Sequence, residues 1–319
     1  MNLTCGVFGD PDLPGELGKK GTTSDLALYN RKSGDDIYAF VTPLTYPDKL
    51  ASLMQAMAMS DCAILAIKEL TPEIGETIVA LDSFGISKGV LVLENLIPEQ
   101  VAPVIQGTVV ENYAVVPRSF ADIIDALSGM EPERKEGPLK IPIDHFFDVK
   151  SVGTVVLGVV ERGNIKPYDK PEIQPLGREV LVKSIQMQDE NVKEAGAGAR
   201  VGLSLKGVDV EDLYRGCVIC EPESIQPRDA FEVDLAMNRF AMDSIKKGQR
   251  YHISVGMHYN IVTVEEAGEK GEAKKGEKAR IRVKSEKPIV AEAGDRVVFA
   301  KVELKGLRIL GSGIVAQGG

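Results

Sequence analysis

Phosphate chemistry has one place to start in this chain. Gly18 and Lys19 follow an apolar run, Leu3–Gly9. The spacing G-x-x-x-x-G-K-[ST] wraps backbone N–H groups, a lysine ammonium and a metal-holding hydroxyl around a triphosphate. Here the stretch after Gly9 is four residues too long, and Lys20 stands in place of the hydroxyl. Pro11 and Pro14 remove N–H donors, and Asp10, Asp12 and Glu16 bring negative charge to where phosphate would sit. Cys217-Val218-Ile219-Cys220 is a lone C-x-x-C, whereas structural zinc requires four ligands. His145, His252 and His258 lack a carboxylate or thiol partner in a ligand pattern, so no metal site is expected. No G-x-S-x-G nucleophile motif occurs.

The elements that would position these residues change character along the chain. Its 319 residues, 44% hydrophobic and 27% charged, are ordinary globular composition. The sequence has no apolar run of the length a membrane helix requires, no basic leader and only four cysteines. These features lead to the expectation of a soluble cytoplasmic protein that binds neither membrane nor DNA. Residues 1–138 carry a net charge of −10, residues 139–224 of −3 and residues 225–319 of +4. The last third is therefore the part suited to phosphate backbones.

In residues 1–138 strand-like and helix-like patterns alternate. Buried strands are expected at Leu3–Gly9, Cys62–Ile67, Gly89–Leu93 and Asn112–Val116. Helices are expected at Pro47–Met59, Glu73–Phe84, Pro98–Gln106 and Phe120–Ser128. Asp10–Gly21 reads as a loop, and Asp25–Tyr29 and Ile37–Thr42 as a hairpin turning at Lys32–Asp35. This alternation predicts a mainly parallel α/β sheet. Gly129–Pro138 reads as a linker. Beyond it short β-branched runs recur at Thr154–Val160, Glu179–Ile185, Arg200–Leu205 and Val218–Glu221, and predict a closed antiparallel barrel. A second barrel is expected from Tyr251–Val255, Ile261–Glu265, Lys278–Val283, Arg296–Lys301 and Leu307–Gly311, with Glu265–Lys278 as a solvated hairpin tip. The predicted domains are 1–138, 139–224 and 225–319.

Four blocks in the middle third carry a specific resemblance. They are Gly153-Thr154-Val155-Val156-Leu157-Gly158-Val159-Val160-Glu161-Arg162-Gly163, then Ile165–Asp169, then Glu194–Leu203, then Gly207-Val208 with Leu213-Tyr214-Arg215-Gly216. In order and spacing they resemble the second domain of translational GTPases, elongation factor Tu among them. Residues 251–256, 294–299 and 309–315 are similar to the second barrel of the selenocysteine-specific elongation factor, and the best fit is an archaeal relative. The resemblance implies a fold of a reduced P-loop-GTPase-like α/β domain followed by two antiparallel β-barrels.

Set beside that family, the first domain lacks its chemistry. Thr42-Pro43-Leu44-Thr45 stands where D-x-x-G belongs, and Glu94-Asn95-Leu96-Ile97 where N-K-x-D belongs. The expectation is a pseudo-GTPase with no catalytic residue and no cofactor. If any nucleotide contact survived, it would use Gly18, Lys19, Lys20, Thr22, Thr23 and Asn95. The resemblance also implies a pocket for the 3′-terminal adenosine of aminoacyl-tRNA at Phe147, Val149, Ser151, Val155 and Gln186. Gln186 departs from the family's acid, and Val152 from its frequent arginine. Lys246, Lys247, Arg250, Lys301, Lys305 and Arg308 are the expected phosphate partners. The leading expectation is a translation-factor-like binding protein that contacts tRNA or the ribosome through its barrels. One alternative is an active elongation factor using GTP and Mg²⁺. Another is a protein–protein adaptor with no RNA role.

Overall fold

The computed structural model describes residues 1–34 and 36–317. A seven-stranded sheet, in the order β2-β3-β4-β1-β5-β6-β7, is built from β1 (Asn2–Phe8), β2 (Lys19–Thr23), β3 (Leu26–Ser33), β4 (Asp36–Pro43), β5 (Cys62–Ile67), β6 (Gly89–Leu93) and β7 (Ala114–Val116). From β4 to β7 neighbouring strands run parallel; β2 and β3 close one edge antiparallel. The helices are α1 (Leu13–Leu17), α2 (Leu50–Ala58), α3 (Pro72–Phe84), α4 (Pro98–Ile105) and α5 (Phe120–Ser128). One face of the sheet packs Phe8, Val41 and Leu65 against Leu53, Met54, Ile78 and Leu81 of α2 and α3. The other packs Cys5, Phe40 and Ile64 against Leu13 and Leu17 of α1 and Ile123 and Leu127 of α5. Burial on both faces is why β5 and β6 are unbroken apolar runs.

Local signals set the ends of α3. Thr71 accepts from the Ile74 N–H, Pro72 opens the first turn, and Gly85 follows at φ 68°. The expected hairpin is present as β3 and β4, paired Leu26↔Pro43 through Ser33↔Asp36. Of the expected turn, Lys32 and Ser33 belong to β3, and Asp35 lies outside the described residues. The loop expected at 10–21 is instead α1 and the start of β2. Lys-Lys-Gly-Thr-Thr has no apolar pattern of its own and becomes a strand by pairing with β3.

The chain from 131 to 136 has no regular structure, yet it is pinned. Arg134 donates to the Asp61 carboxylate at 2.8 Å and to the Asn2 carbonyl at 2.5 Å. The next unit wraps an eight-stranded antiparallel sheet round a core of Ile141, Ile143, Val156, Val182, Val201 and Leu203. Strand Gly153–Val159 alternates strictly between buried and half-buried residues. Its hydrogen-bonded ladder ends at Arg178–Glu179 on one side and Glu190–Val192 on the other.

Gly163 shows why the family's turn needs glycine. Its φ is 73°, and a Cβ would stand 2.7 Å from the Leu139 backbone. Gly163→Ala should lower stability by more than about 1 kcal/mol in chemical denaturation; an unchanged midpoint would show that the turn relaxes freely.

The last unit is a closed barrel of Arg228–Met237, Lys278–Ile289, His258–Ala267, Arg250–Val255, Arg296–Ala300 and Ile309–Val315. Glu272–Ala273, expected to lie in a solvated tip, pairs with Ile245–Lys246, and Ala273 is fully buried. Val298, Ala300 and Ile309 of this barrel belong to the core beneath α2 and α3. Full burial of such side chains contributes on the order of 1.5–3 kcal/mol for each large one. The barrel is thus packed onto the α/β unit. Among the described residues no helix is long and apolar enough to cross a membrane.

Candidate functional site

In an open parallel sheet, ligands bind outside the carboxyl ends of the strands. Five charged residues meet there. Asp10 follows β1, Lys68 follows β5, Glu94 follows β6, Arg118 follows β7, and Glu16 comes from α1. Arg118 bonds Asp10 and Glu94 through one guanidinium nitrogen and Glu16 through the other, the last at 2.6 Å. Lys68 Nζ lies 2.9 Å from the Asp10 carboxylate and 3.7 Å from Glu94. The Asp10 side chain is fully buried and also accepts from the Asp12 N–H at 3.0 Å. Burial pushes the Asp10 carboxyl up, but Lys68, the Asp12 N–H and Arg118 together hold it below its ordinary value. Arg118 is pushed further up, chiefly by Glu16 and Glu94. Where a nucleotide's phosphates would require N–H donors and cations, this end of the sheet presents a carboxylate with its cations already engaged.

The residues expected to hold a nucleotide do not converge. Gly18 caps α1, and Lys19, Lys20, Thr22 and Thr23 lie on β2, the outermost strand. Asn95, at φ 61°, sits in the turn after β6. Five strand spacings separate β2 from β6, or about 24 Å. The Gly-Lys pair is therefore an edge-strand feature.

The adenosine-pocket positions do share a face. Phe147 lies opposite Val155, and Val149 opposite Gly153. Ser151 turns between them at φ 72°. Gln186 lies one row away, opposite Gly202, and its amide donates to Asn191 at 3.3 Å. Phe147 is 39% exposed, a large ring open to solvent.

The expected phosphate partners divide. Lys247 and Lys305 are exposed. Lys246, Arg250 and Lys301 pair with Glu272 at 3.6 Å, Glu286 at 2.9 Å and Asp243 at 2.6 Å. Arg308 is not a phosphate partner. Its backbone N–H and guanidinium grip Glu76 of α3 at 2.8–3.2 Å, and it donates to the Pro47 carbonyl at 2.9 Å. Glu76 is 4% exposed, so the pair is a buried clamp between barrel and helix.

A second seam joins the α/β unit to the middle unit. Ser24 Oγ is 3.1 Å from His145 Nε2, and His145 Nδ1 is 2.7 Å from Asp144. That order of groups is the one a serine nucleophile uses. Ser24 Oγ, however, is also 2.9 Å from Asp25, and it accepts from Arg215 at 2.9 Å and from the Leu26 N–H at 3.3 Å. So many partners leave no approach for a reacting carbon, and the group is a structural knot. Arg200 holds Asp144 with bonds of 2.7 and 2.8 Å. Burial raises the Asp25 carboxyl, but Arg215 and Ser24 pull it down to about 2. Because the folded value is depressed, the stability from this pair is complete above the unfolded carboxyl value, about pH 4, and is lost as pH falls toward 2. Arg215→Met should thus flatten the acid limb of the stability curve; an unchanged limb would remove Asp25 from the seam's energetics.

The cysteines and histidines show no reactive character. Burial pushes the Cys217 and Cys220 thiols up to about 11, and lowers His258 to about 4. Among the described residues no group of three or more His, Cys, Asp or Glu is arranged to hold a metal ion. Sequence reasoning missed Lys68, Glu94 and Arg118. Their signal is a charge one or two residues past the ends of β5, β6 and β7.

An α/β sheet with two antiparallel barrels, and the four glycine-punctuated blocks, define a class: the chain belongs to the translation elongation factor-like family. Residues 153–220 match the family model "Elongation factor Tu domain 2". An uncharacterized protein of Methanocaldococcus jannaschii is 37% identical over 314 residues, covering 98% of each chain. The selenocysteine-specific elongation factor of that organism is 33% identical over 195 residues, which is 57% of this chain and 42% of that protein. Thus the chain aligns with about two fifths of that longer factor's length. Among solved structures, elongation factor SelB of Methanococcus maripaludis in complex with the GTP analogue GPPNHP is similar, with a TM-score of 0.84 and 25% identity, covering 99% of this chain and 79% of that one. Its apo form gives 0.82, also at 25% identity, covering 99% of this chain and 80% of that one.

Proposed function

We propose that this chain is a translation-factor-like RNA-binding protein whose α/β unit is a scaffold that does not hydrolyse GTP. One observation carries the reading: the carboxyl ends of β1, β5, β6 and β7 are occupied by the Asp10–Lys68–Glu94–Arg118 ion cluster. Thr42–Thr45 holds no acid for a metal-bound water, and Lys20 brings no hydroxyl to the metal that GTP hydrolysis requires. The barrels supply the recognition surface. Phe147 gives a ring for stacking a base, with Val149 and Val155 beside it, and Lys247 and Lys305 give phosphate contacts.

Filter binding of tRNA to the full chain tests this. Binding should weaken as salt rises, and Phe147→Ala should lose about 1–3 kcal/mol of affinity. Lys247→Glu and Lys305→Glu should weaken binding further, while Lys19→Glu and Lys20→Glu on β2 should not. No binding at low salt, or equal losses from the β2 variants, would contradict the reading.

A further inference from the structure

One turn of the middle unit holds an aromatic side chain in a backbone conformation that favours glycine. Lys166-Pro167-Tyr168-Asp169 is closed by the Asp169 N–H, which donates to the Lys166 carbonyl at 3.2 Å. Proline at the second position and a positive φ at the third mark a type II turn, whose third position glycine fills without strain. Here that position is Tyr168, at φ 75°. The other non-glycine residues at positive φ among the described residues are polar: Asn95, Ser151, Gln188, Asp189 and Glu223. A bulky side chain in this region is strained, and such strain persists where the surroundings over-determine it, most often at sites that clamp a ligand.

The surroundings do over-determine it. The Tyr168 N–H donates to the Val182 carbonyl at 2.7 Å, and the Val182 N–H returns a bond to the Asp169 carbonyl at 3.0 Å. The Asp169 carboxylate accepts from the Lys166 N–H at 2.7 Å. No burial offsets the strain, since Tyr168 is 77% exposed and joins no core cluster. In residues 139–224 the other exposed large apolar side chain is Phe147. Across the ladder Phe147 faces Val155, Val155 faces Ser204 and Ser204 faces Ser184, two residues along the strand from Val182. The Tyr168 turn thus stands four strand spacings from Phe147, about 19 Å, which a short single strand of nucleic acid can cover. Two residues to either side of Tyr168 lie Lys166 and Lys170. They pair loosely with Glu194 at 3.6 Å and Glu179 at 4.0 Å, and all four side chains are exposed.

We propose that Tyr168 is a second stacking platform for single-stranded RNA, held out by its turn to take one unpaired base while Phe147 takes another. Lys166 and Lys170 then face the phosphates. This rests on the RNA-binding reading above and extends it to a second ring. The isolation of that ring favours a base over a protein. A protein hot spot sits among apolar contacts that exclude water, and this unit offers none beside Tyr168; a base brings its own π-face.

The chain contains no tryptophan, so Tyr168→Trp installs a single reporter ring at the site. Its fluorescence should be quenched saturably by unfractionated tRNA at low salt. Filter binding of the same tRNA to the full chain should be about tenfold weaker for Tyr168→Gly and unchanged for Tyr168→Phe. Tyr168→Gly should not lower the melting temperature, because glycine relieves the strained turn; a tyrosine kept for folding would give the opposite. If Tyr168→Gly binds as the unaltered chain does while Phe147→Ala is weakened, the proposal is overturned, the ring serves a protein contact, and the RNA-binding reading stands. If the unaltered chain binds no tRNA, both fall together. Filter binding of Tyr168→Trp without quenching would also overturn the proposal, since the base would then lie elsewhere.

Discussion

Arg308→Met should destabilise the folded chain by about 3–5 kcal/mol, because it leaves the Glu76 carboxylate buried without its cation. Glu76 is 4% exposed and takes the Arg308 backbone N–H as well as its guanidinium. The retained backbone bond cannot neutralise the charge. Arg308→Met combined with Glu76→Met should recover most of the loss, since well-packed apolar residues often replace a buried pair at little penalty. Denaturant unfolding of the two single variants and the double variant measures this. Equal destabilisation in single and double variants would mean that lost packing, and not the unpaired charge, is responsible.

The second large effect is expected at Asp10, at the carboxyl ends of the strands. Asp10→Ala should cost about 2–3 kcal/mol, since it removes the carboxylate shared by Lys68 and Arg118 and the acceptor of the Asp12 N–H. Arg118 keeps Glu16 and Glu94, which limits the loss. Asp10→Asn should cost less, because it still accepts from Asp12. If Asp10→Ala were neutral in thermal and denaturant unfolding, the cluster would be a surface decoration and not a structural filling of this strand end.

Much of the architecture was legible because local and tertiary forces agree. Cys62–Ile67 is the same strand in sequence and structure, since a central parallel strand is buried on both faces. Phe120–Ser128 is likewise the same helix, capped by Ser119 accepting from the Asp122 N–H. β2 was not legible: Lys19–Thr23 carries no periodic apolar signal, and only pairing with β3 orders it. Strand Arg228–Met237 buries Phe231, Val233, Leu235 and Met237 in strict alternation; that signal was present and passed over.

The site was harder to read than the fold. Asp10 was noticed only as a repulsive charge, because its partner Arg118 is 108 residues away. Only the strand order, which sets β1 beside β5 and brings β6 and β7 alongside, gathers the cluster. Arg308 shows the reverse failure. Its charge was legible, but its burial against Glu76 depends on how the last barrel packs on α3, and no local pattern encodes that.

Single-turnover hydrolysis tests the central claim most directly. The full chain, in excess over radiolabelled GTP with Mg²⁺, should release inorganic phosphate no faster than buffer alone, at any protein concentration and with or without Mg²⁺. Phosphate release that rises to saturation with protein, requires Mg²⁺ and is abolished by Asp10→Ala would contradict the account: the strand ends would then form a working GTPase site of unfamiliar geometry, and not one filled by its own ion pairs.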